Sequence, residues 1–287
     1  MELLPVSPAG RRYGLYRDNP LSPAKILLKL QAPAGIVLPP KAGTSQWMGK
    51  IRNQGNEGSC TGQMGGGIRD LLYRKQFLFE KDRTVAPADF QTAASFVYKC
   101  NLIADGDLGQ DAGSTIHQTF ITLNQKGACL ESQEPYSDSD YSVAPTADQY
   151  TEALVYKAGS YHSIPDLLSI KACIASGYSV GFGITVYESF EGTWAQPGFM
   201  PMPKTNTEQI LGGHAQHAMD YDDTLEFPDG NVGGLLIQNS WGGSDIWPMG
   251  ISAPGRTDGG CYHMPYAFVN AGLANDIWMI HLSGPWK

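Results

Sequence analysis

The feature that most constrains the fold is a change of pattern about half-way along the chain. The first half predicts helices over 58–81, 87–100 and 114–125, because apolar residues recur there at helical spacing. The second half predicts one more helix, 165–176, and then strands from 178 onwards, where β-branched and aromatic residues are frequent. Helices followed by strands are typical of the α+β class.

The same pattern predicts three regions. Residues 1–43 are interrupted by seven prolines, and we expect an N-terminal extension that wraps a surface, either a pro-segment or an arm bordering a cleft. A loose tail is the alternative. Residues 44–158 are predicted to form a helical lobe and residues 159–287 a β-rich lobe. A chain of 287 residues is long enough for two such lobes.

Charge and hydropathy exclude several classes of partner. The formal net charge is −8 and no long run of lysine or arginine occurs, so we expect no nucleic-acid partner. No stretch approaches the roughly 20 apolar residues of a membrane helix, and we expect no membrane partner. The first residues lack a basic start followed by an apolar core, which predicts a protein that is cytoplasmic or exported without a conventional signal peptide.

Five cysteines are widely spaced, with no CxxC pair, so the sequence predicts no structural zinc site. The odd number leaves at least one thiol free in a monomer. We expect mostly buried thiols of a reducing compartment, although a bridge between Cys100 and Cys129 stays open at this point.

One cysteine occupies a position suited to catalysis. Cys60 follows the turn-forming stretch Gly55–Gly58 and precedes the first long helix. A helix N-terminus stabilises a thiolate and offers unpaired N–H groups to an oxyanion. Gln54 could bring a side-chain amide to the same place across the turn. A buried cysteine in an ordinary turn is the structural alternative.

A thiol nucleophile needs a base, and His214 in GGHA is the best candidate of six histidines. His217 lies three residues further on, so on a strand it faces the other way. Asn239 in QNSWGG could orient an imidazole by accepting its N–H, and Trp241 could shield that bond from water. A metal site is disfavoured, since the two histidines lack a third ligand.

Three motifs occur in order, IRNQGNEGSCTG, GGHAQHAMDYDD and LLIQNSWGG, and together they resemble the papain-like cysteine peptidase family. His214 follows Cys60 by 154 positions and Asn239 follows His214 by 25. The stretch 108–136 resembles the family segment that lines the substrate cleft, and GYSVGFGITVYESFE and GCYHMPYAFV resemble bacterial and viral members. The resemblance covers roughly 45–280.

The resemblance implies a papain-like two-lobe fold in which a helical lobe precedes an antiparallel β-barrel-like lobe, with the active site in the cleft between them. Cys60 would be the nucleophile, His214 its proton acceptor and donor, and Asn239 the residue that orients His214. Gln54 would bind the oxyanion with the Cys60 N–H group. At neutral pH a thiolate–imidazolium pair is expected, since such a thiol pKa can fall to about 3–4.

The resemblance also implies how a peptide substrate binds. Ala112, Gly113 and Ser114 would pair with it in antiparallel fashion, although this stretch also reads as an ordinary capped helix start. Ala215 would leave room for an apolar side chain in the adjacent pocket, and Trp241 would flank the cleft. No cofactor or metal is implied. We further expect residues 1–37 to limit access to the cleft.

Two departures from the family pattern stand out. Glu57 occupies the position of a cysteine that is usually disulfide-bonded, and Thr61 follows the nucleophile where tryptophan is usual. The sequence predicts a cysteine endopeptidase acting through an acyl-thioester. The alternatives are a silent or blocked binding protein of the same fold, and a transpeptidase or deamidase that uses the same Cys–His pair.

Overall fold

A computed structural model describes residues 6–18, 22–77 and 90–282. The end of the helix predicted over 58–81 and the start of the one predicted over 87–100 lie outside the described residues. The elements are α1 Pro23–Leu27, β1 Lys41–Gly43, α2 Cys60–Lys75, α3 Ala94–Asp105, α4 Ile116–Gln125, α5 Ala147–Val155, β2 Ala158–Ser163, α6 Leu167–Ala175, β3 Val180–Tyr187, α7 Glu188–Glu191, β4 Ile210–Glu226, β5 Val232–Gln238, β6 Cys261–Pro265, α8 Tyr266–Asn270 and β7 Ala274–Leu282.

Helix α2 is the centre of the helical part. Ile68, Leu71 and Leu72 lie on it at the predicted spacing and are buried. The helix packs against α3, α4 and β4, so it contacts both the helices and the sheet. Its first residue is Cys60, which therefore lies where helices meet strands.

The helix predicted over 87–100 begins later, at Ala94, and continues to Asp105. Gly106 ends it in the left-handed conformation, with φ 82°, which glycine adopts without strain. Helix α4 begins at Ile116 because the Thr115 side chain accepts the Gln118 N–H.

The strands form one antiparallel sheet of seven, in the order β2-β7-β3-β4-β5-β6, with β1 pairing with β4. The hydrogen-bonded path is open between β2 and β6, so the β-rich part is an open sheet rather than a closed barrel. The α+β class and the papain-like arrangement of helices followed by antiparallel strands are confirmed. The long strand β4 places His214 opposite Ile184 of β3.

Three glycines on α2 allow close packing. A Cβ atom at Gly65 would lie 2.6 Å from the Thr119 side chain, one at Gly66 2.7 Å from Arg52, and one at Gly67 2.6 Å from Nε2 of His217. The glycines therefore allow Arg52, helix α4 and strand β4 to pack closely against α2.

All five cysteines are buried free thiols, so the bridge left open between Cys100 and Cys129 is absent. Within the described ranges, no helix combines the length and apolar character needed to cross a bilayer.

Candidate active site

Cys60 is completely buried at the start of α2. Its surroundings come from three directions: its own helix through Thr61, strand β4 through Ala215, and the N-terminal arm through Gly14, whose backbone groups all interact with the sulfur. We use "N-terminal arm" for residues 6–18. Ala215 directly follows His214, so the predicted nucleophile lies beside the strand that carries the predicted base, but the Cys60 thiol and the His214 imidazole make no hydrogen bond with each other.

Three hydrogen bonds hold Gln54 in place. Its backbone N–H donates to the Ser240 carbonyl at 2.9 Å, and its Oε1 accepts the Ser240 hydroxyl at 2.6 Å. Its Nε2 donates to the Glu57 carbonyl at 2.9 Å. The turn that returns the chain to Cys60 uses Gly55 at φ 56°. The amide is thus anchored to the strand side of the site by the residue that follows Asn239.

His214 is buried and bonded to Asn239, with 2.9 Å between Nε2 and Oδ1. Oδ1 of Asn239 also accepts the Ser240 backbone N–H at 2.8 Å. Nδ1 of His214 has no hydrogen-bond partner among the described residues. Trp241 covers the imidazole, with ring centroids 5.2 Å apart and planes 26° apart. The Trp241 ring therefore lies over the imidazole that pairs with Asn239.

Burial controls the ionisation of both groups in this structure. Burial raises the pKa of the Cys60 thiol to about 11, and backbone hydrogen bonds offset this only in part. Burial lowers the pKa of His214 to about 4, partly offset by the bond to Asn239. Thiol and imidazole are therefore both neutral at pH 7. The ion pair expected at neutral pH is not the state described here, because the site is closed to water.

The N-terminal arm closes the site. Ser114 N–H donates to the Gly14 carbonyl at 2.7 Å, and Tyr16 N–H donates to the Ser114 carbonyl at 3.0 Å. On the opposite side, Leu15 N–H donates to the Gly213 carbonyl at 3.2 Å. The arm thus binds the backbone of both walls of the cleft, directly over Cys60.

Side chains fix the arm at several further points. Arg12 lies 3.3 Å from the Asp111 carboxylate. The Tyr13 hydroxyl donates to Glu191 at 2.5 Å, and the Ser7 hydroxyl bonds to the same carboxylate. The Arg11 guanidinium lies 3.9 Å from the centroid of the Trp241 ring. Both the helical side and the sheet side of the cleft therefore hold the arm.

Four of the five predicted substrate-binding residues, Gly113, Ser114, Ala215 and Trp241, contact the arm. Ser114 pairs with Leu15, and Gly113, at φ 79°, passes so close that a Cβ atom there would lie 2.1 Å from the Gly14 carbonyl. The side chain of Leu15 is buried in an apolar cluster that includes Ala215 and Ile116. Ala112 is buried against Tyr98.

His217 faces away from the cleft, as its spacing from His214 predicts. Its Nε2 donates to Gln238 at 2.7 Å and its Nδ1 pairs with the Ser179 hydroxyl at 2.6 Å. Burial lowers its pKa to about 4, so it is a neutral histidine of the core.

Several residues of the site were not predicted from the sequence. Gln216 donates to Asn239 at 3.0 Å, and Glu191 and Tyr13 hold the arm. The spacing of Gln216, two residues after His214 on a strand, was a usable signal because such residues share a face. Nothing local predicts that Glu191, 178 positions from Tyr13, meets it.

No protein-family model matches the chain. In sequence it is 28% identical over 239 residues to an uncharacterised peptidase C1-like protein of Acanthamoeba polyphaga mimivirus, covering 79% of this chain and 68% of the relative.

In structure the chain is similar to xylellain, a cysteine protease from Xylella fastidiosa, with a TM-score of 0.76, 25% identity and coverage of 95% and 96% of the two chains. It also has the fold of the digestive procathepsin L2 proteinase of Tenebrio molitor larval midgut, with a TM-score of 0.67, 17% identity and coverage of 96% and 81%. The chain thus has the fold of the papain-like cysteine peptidases, and its sequence motifs and these relatives are similar to that family.

Proposed function

We propose that the protein is a cysteine endopeptidase that hydrolyses peptide bonds through an acyl-thioester on Cys60. The observation that carries the proposal is the pairing of His214 Nε2 with Asn239 Oδ1 at 2.9 Å. The backbone N–H of Ser240 fixes the oxygen end of that amide, so Nε2 holds the imidazole proton. The lone pair is then on Nδ1, to which no described residue makes a hydrogen bond.

The reaction follows from these positions. His214 Nδ1 takes the thiol proton, and the Cys60 sulfur attacks the peptide carbonyl carbon to form a tetrahedral adduct. The C–N bond then breaks, and the imidazolium gives its proton to the leaving amine. A water molecule, deprotonated by His214, attacks the thioester carbon, and the sulfur leaves and regains its proton. Each turnover consumes one water and returns the enzyme unchanged.

The oxyanion of the adduct would be bound by two donors. The Cys60 N–H lies at the first position of α2, where it has no partner within the helix. The second N–H bond of the Gln54 amide is the other donor, because the first is used on the Glu57 carbonyl. A single missing donor of this kind typically costs about 10²–10³-fold in kcat.

We further propose that the N-terminal arm inhibits the enzyme by occupying the substrate path. Leu15 fills the apolar pocket beside Ala215, which supports an aliphatic preference at the second residue before the cut. The arm pairs with Ser114 in parallel, whereas a substrate is expected to pair there antiparallel. The arm therefore crosses Cys60 in the reverse direction and presents no bond in the orientation needed for attack.

The test uses a matched pair of tyrosines in the full chain. The Tyr13 ring is buried against His214 and bonded to Glu191, whereas Tyr16 is 43% exposed and uses only its backbone in the cleft. Tyr13→Ala should release the arm and raise cleavage of an extended peptide, while Tyr16→Ala should leave it close to the wild-type level.

Mass spectrometry of the products distinguishes the reactions. Hydrolysis adds one water across the peptide bond, whereas transfer to an added amine or loss of a side-chain amide gives other masses. Cys60→Ser in the Tyr13→Ala background should abolish turnover. If the Tyr13→Ala variant gives no product although its Cys60 is freely alkylated, the peptidase proposal is rejected and a binding protein is favoured.

A further inference from the structure

Gln216 is a fully buried polar residue that the catalytic scheme above does not use. It lies on β4 two residues after His214, so both side chains project from the same face of the strand. Its Nε2 donates to Asn239 Oδ1 at 3.0 Å, and its Oε1 accepts the hydroxyl of Tyr262 on β6. A buried amide at this place requires partners on both ends, and both are present.

Asn239 Oδ1 receives three donors: Nε2 of His214 at 2.9 Å, Nε2 of Gln216 at 3.0 Å and the Ser240 N–H at 2.8 Å. Two of these donors, Nε2 of Gln216 and the Ser240 N–H, are independent of the imidazole. They hold the oxygen, rather than the NH₂ group, against His214. The orientation of Asn239 decides which imidazole nitrogen carries the proton.

Tyr262 fixes the orientation of Gln216. Burial raises its pKa well above its usual value, so the hydroxyl keeps its proton and remains a donor. The ring is enclosed by Phe190, Trp194 and Trp247, with centroids 5.5–5.9 Å away. With the hydroxyl aimed at Oε1, the NH₂ end of Gln216 has to face Asn239.

We propose that Gln216, oriented by Tyr262, is a positioning residue that keeps the Asn239 oxygen on His214 and thereby leaves Nδ1 free to receive the Cys60 proton. This inference rests on the proposed peptidase function. Gln216 acts through Asn239 and touches neither the sulfur nor the substrate path.

The charged and titratable groups near His214 come from the arm and from α2. Arg11 is the nearby cation, and its charge opposes protonation of the imidazole. The neutral Tyr13 ring lies 6.0 Å away, and the Cys60 sulfur contacts the backbone of Ala215, the residue that follows His214. A change at Gln216 alters none of these groups, so its effect on His214 is separable from theirs.

The first experiment observes the imidazole directly. In the full chain labelled with ¹⁵N-histidine, two-bond ¹H–¹⁵N spectra should show the His214 proton on Nε2. Gln216→Glu places a carboxylate against Asn239 Oδ1 once it is ionised. The asparagine amide should then rotate and the proton should move to Nδ1. At lower pH the protonated acid can donate as glutamine does, so the Nε2–H signal should return.

The second experiment measures kinetics in the Tyr13→Ala background. We expect Gln216→Glu to lower kcat by at least about tenfold at pH 8 with little change in KM, and to recover as the pH falls through the raised pKa of the buried acid. The double variant Gln216→Met, Tyr262→Phe removes both polar ends without leaving an unpaired hydroxyl. This double variant should fold. Its loss of kcat should be smaller than that of Gln216→Glu and should not recover as the pH falls.

Ser179→Ala is the matched control, because it removes a buried hydrogen bond from His217 instead. It should lower thermal stability and leave the His214 spectrum and the pH profile unchanged. Wild-type tautomer and pH profile in both Gln216 variants would overturn the positioning role. A tautomer change without turnover in any variant would uphold that role and reject the peptidase function instead.

Discussion

Gly14→Ala gives the sharpest test of the closed site. A Cβ atom at Gly14 would lie 1.8 Å from the Gly58 carbonyl oxygen and 2.6 Å from its carbon, both backbone atoms that cannot turn aside. An ordinary contact needs about 3.5 Å, so the arm has to move by roughly 1.7 Å. Gly14 has no positive φ, and alanine can therefore adopt its backbone without strain.

The displacement breaks the backbone bonds at 2.7, 3.0 and 3.2 Å that join residues 14–16 to Ser114 and Gly213. Each such bond contributes about 1 kcal/mol, and the three together about 3 kcal/mol. The ratio of open to closed chains should then rise about 100-fold. Loss of the burial of Leu15 would increase this figure further.

The assay is alkylation of the native chain by iodoacetamide, with the modified cysteine identified by mass spectrometry. Opening of the arm returns water to Cys60, and this lowers the pKa of its thiol from about 11. The alkylation rate of Cys60 at pH 7 should therefore rise about 100-fold, or less if the open state already predominates before that limit. Peptide cleavage should rise with it. The other four thiols are buried elsewhere and serve as internal references.

Ala9→Ser is the control in the arm, because Ala9 is exposed and its N–H bond to Glu191 is kept. It should behave as the wild type. The reasoning fails if Gly14→Ala leaves the Cys60 rate unchanged while melting normally. It fails equally if wild-type Cys60 already reacts as fast as an open cysteine.

Two further predictions concern stability. Burial raises the pKa of Glu57 to about 7 from 4.5, so the stability linked to its proton is full below about pH 4.5 and is lost as the pH rises through 7. At pH 8, Glu57→Gln should therefore melt several degrees above the wild type, a stabilisation of up to about 3 kcal/mol. This difference in melting temperature should narrow towards pH 5, and the exposed control Glu226→Gln should not show it. An equal difference at both pH values would contradict the prediction. Gly67→Ala should destabilise the fold by about 1–2 kcal/mol despite better helix propensity, because its Cβ would meet His217, which Ser179 and Gln238 hold in place. Gly192→Ala is the control, because its Cβ would meet nothing closer than 3.5 Å. Chemical denaturation measures both variants, and equal midpoints would be inconsistent with close packing at Gly67.

The sequence predicted the fold class and the elements that carry Cys60, His214 and Asn239. These depend on local signals: a turn with glycines, a helix with apolar spacing, and strands with alternating faces. Helix α5 and strand β2 were missed, although Thr146 and Gln149 form a capping box that marks the helix start. Only Ala153 of that short helix is buried.

What the sequence could not provide was pairing between distant segments. Apart from a local turn between Ser7 and Arg11, residues 6–18 are held by the cleft, through bonds to Ser114, Gly213 and Glu191. The neutral state of Cys60 and His214 follows from that cover. It could not be inferred from the sequence, where the family resemblance implied an ion pair.

The three glycines of α2 bear on when the reactive thiol is formed. Each lowers the helical tendency of the isolated segment by about 1 kcal/mol, and a helix of this length is marginal in water even without them. On a nascent chain leaving the ribosome, residues 60–75 would be largely unwound, and Cys60 would be an ordinary thiol. Its position at a helix start is completed only when β4 arrives with His217 against Gly67, and the same strand delivers His214. The thiol therefore reaches its position at the helix start only after the C-terminal half has been synthesised. The N-terminal arm that covers it has been synthesised well before that point.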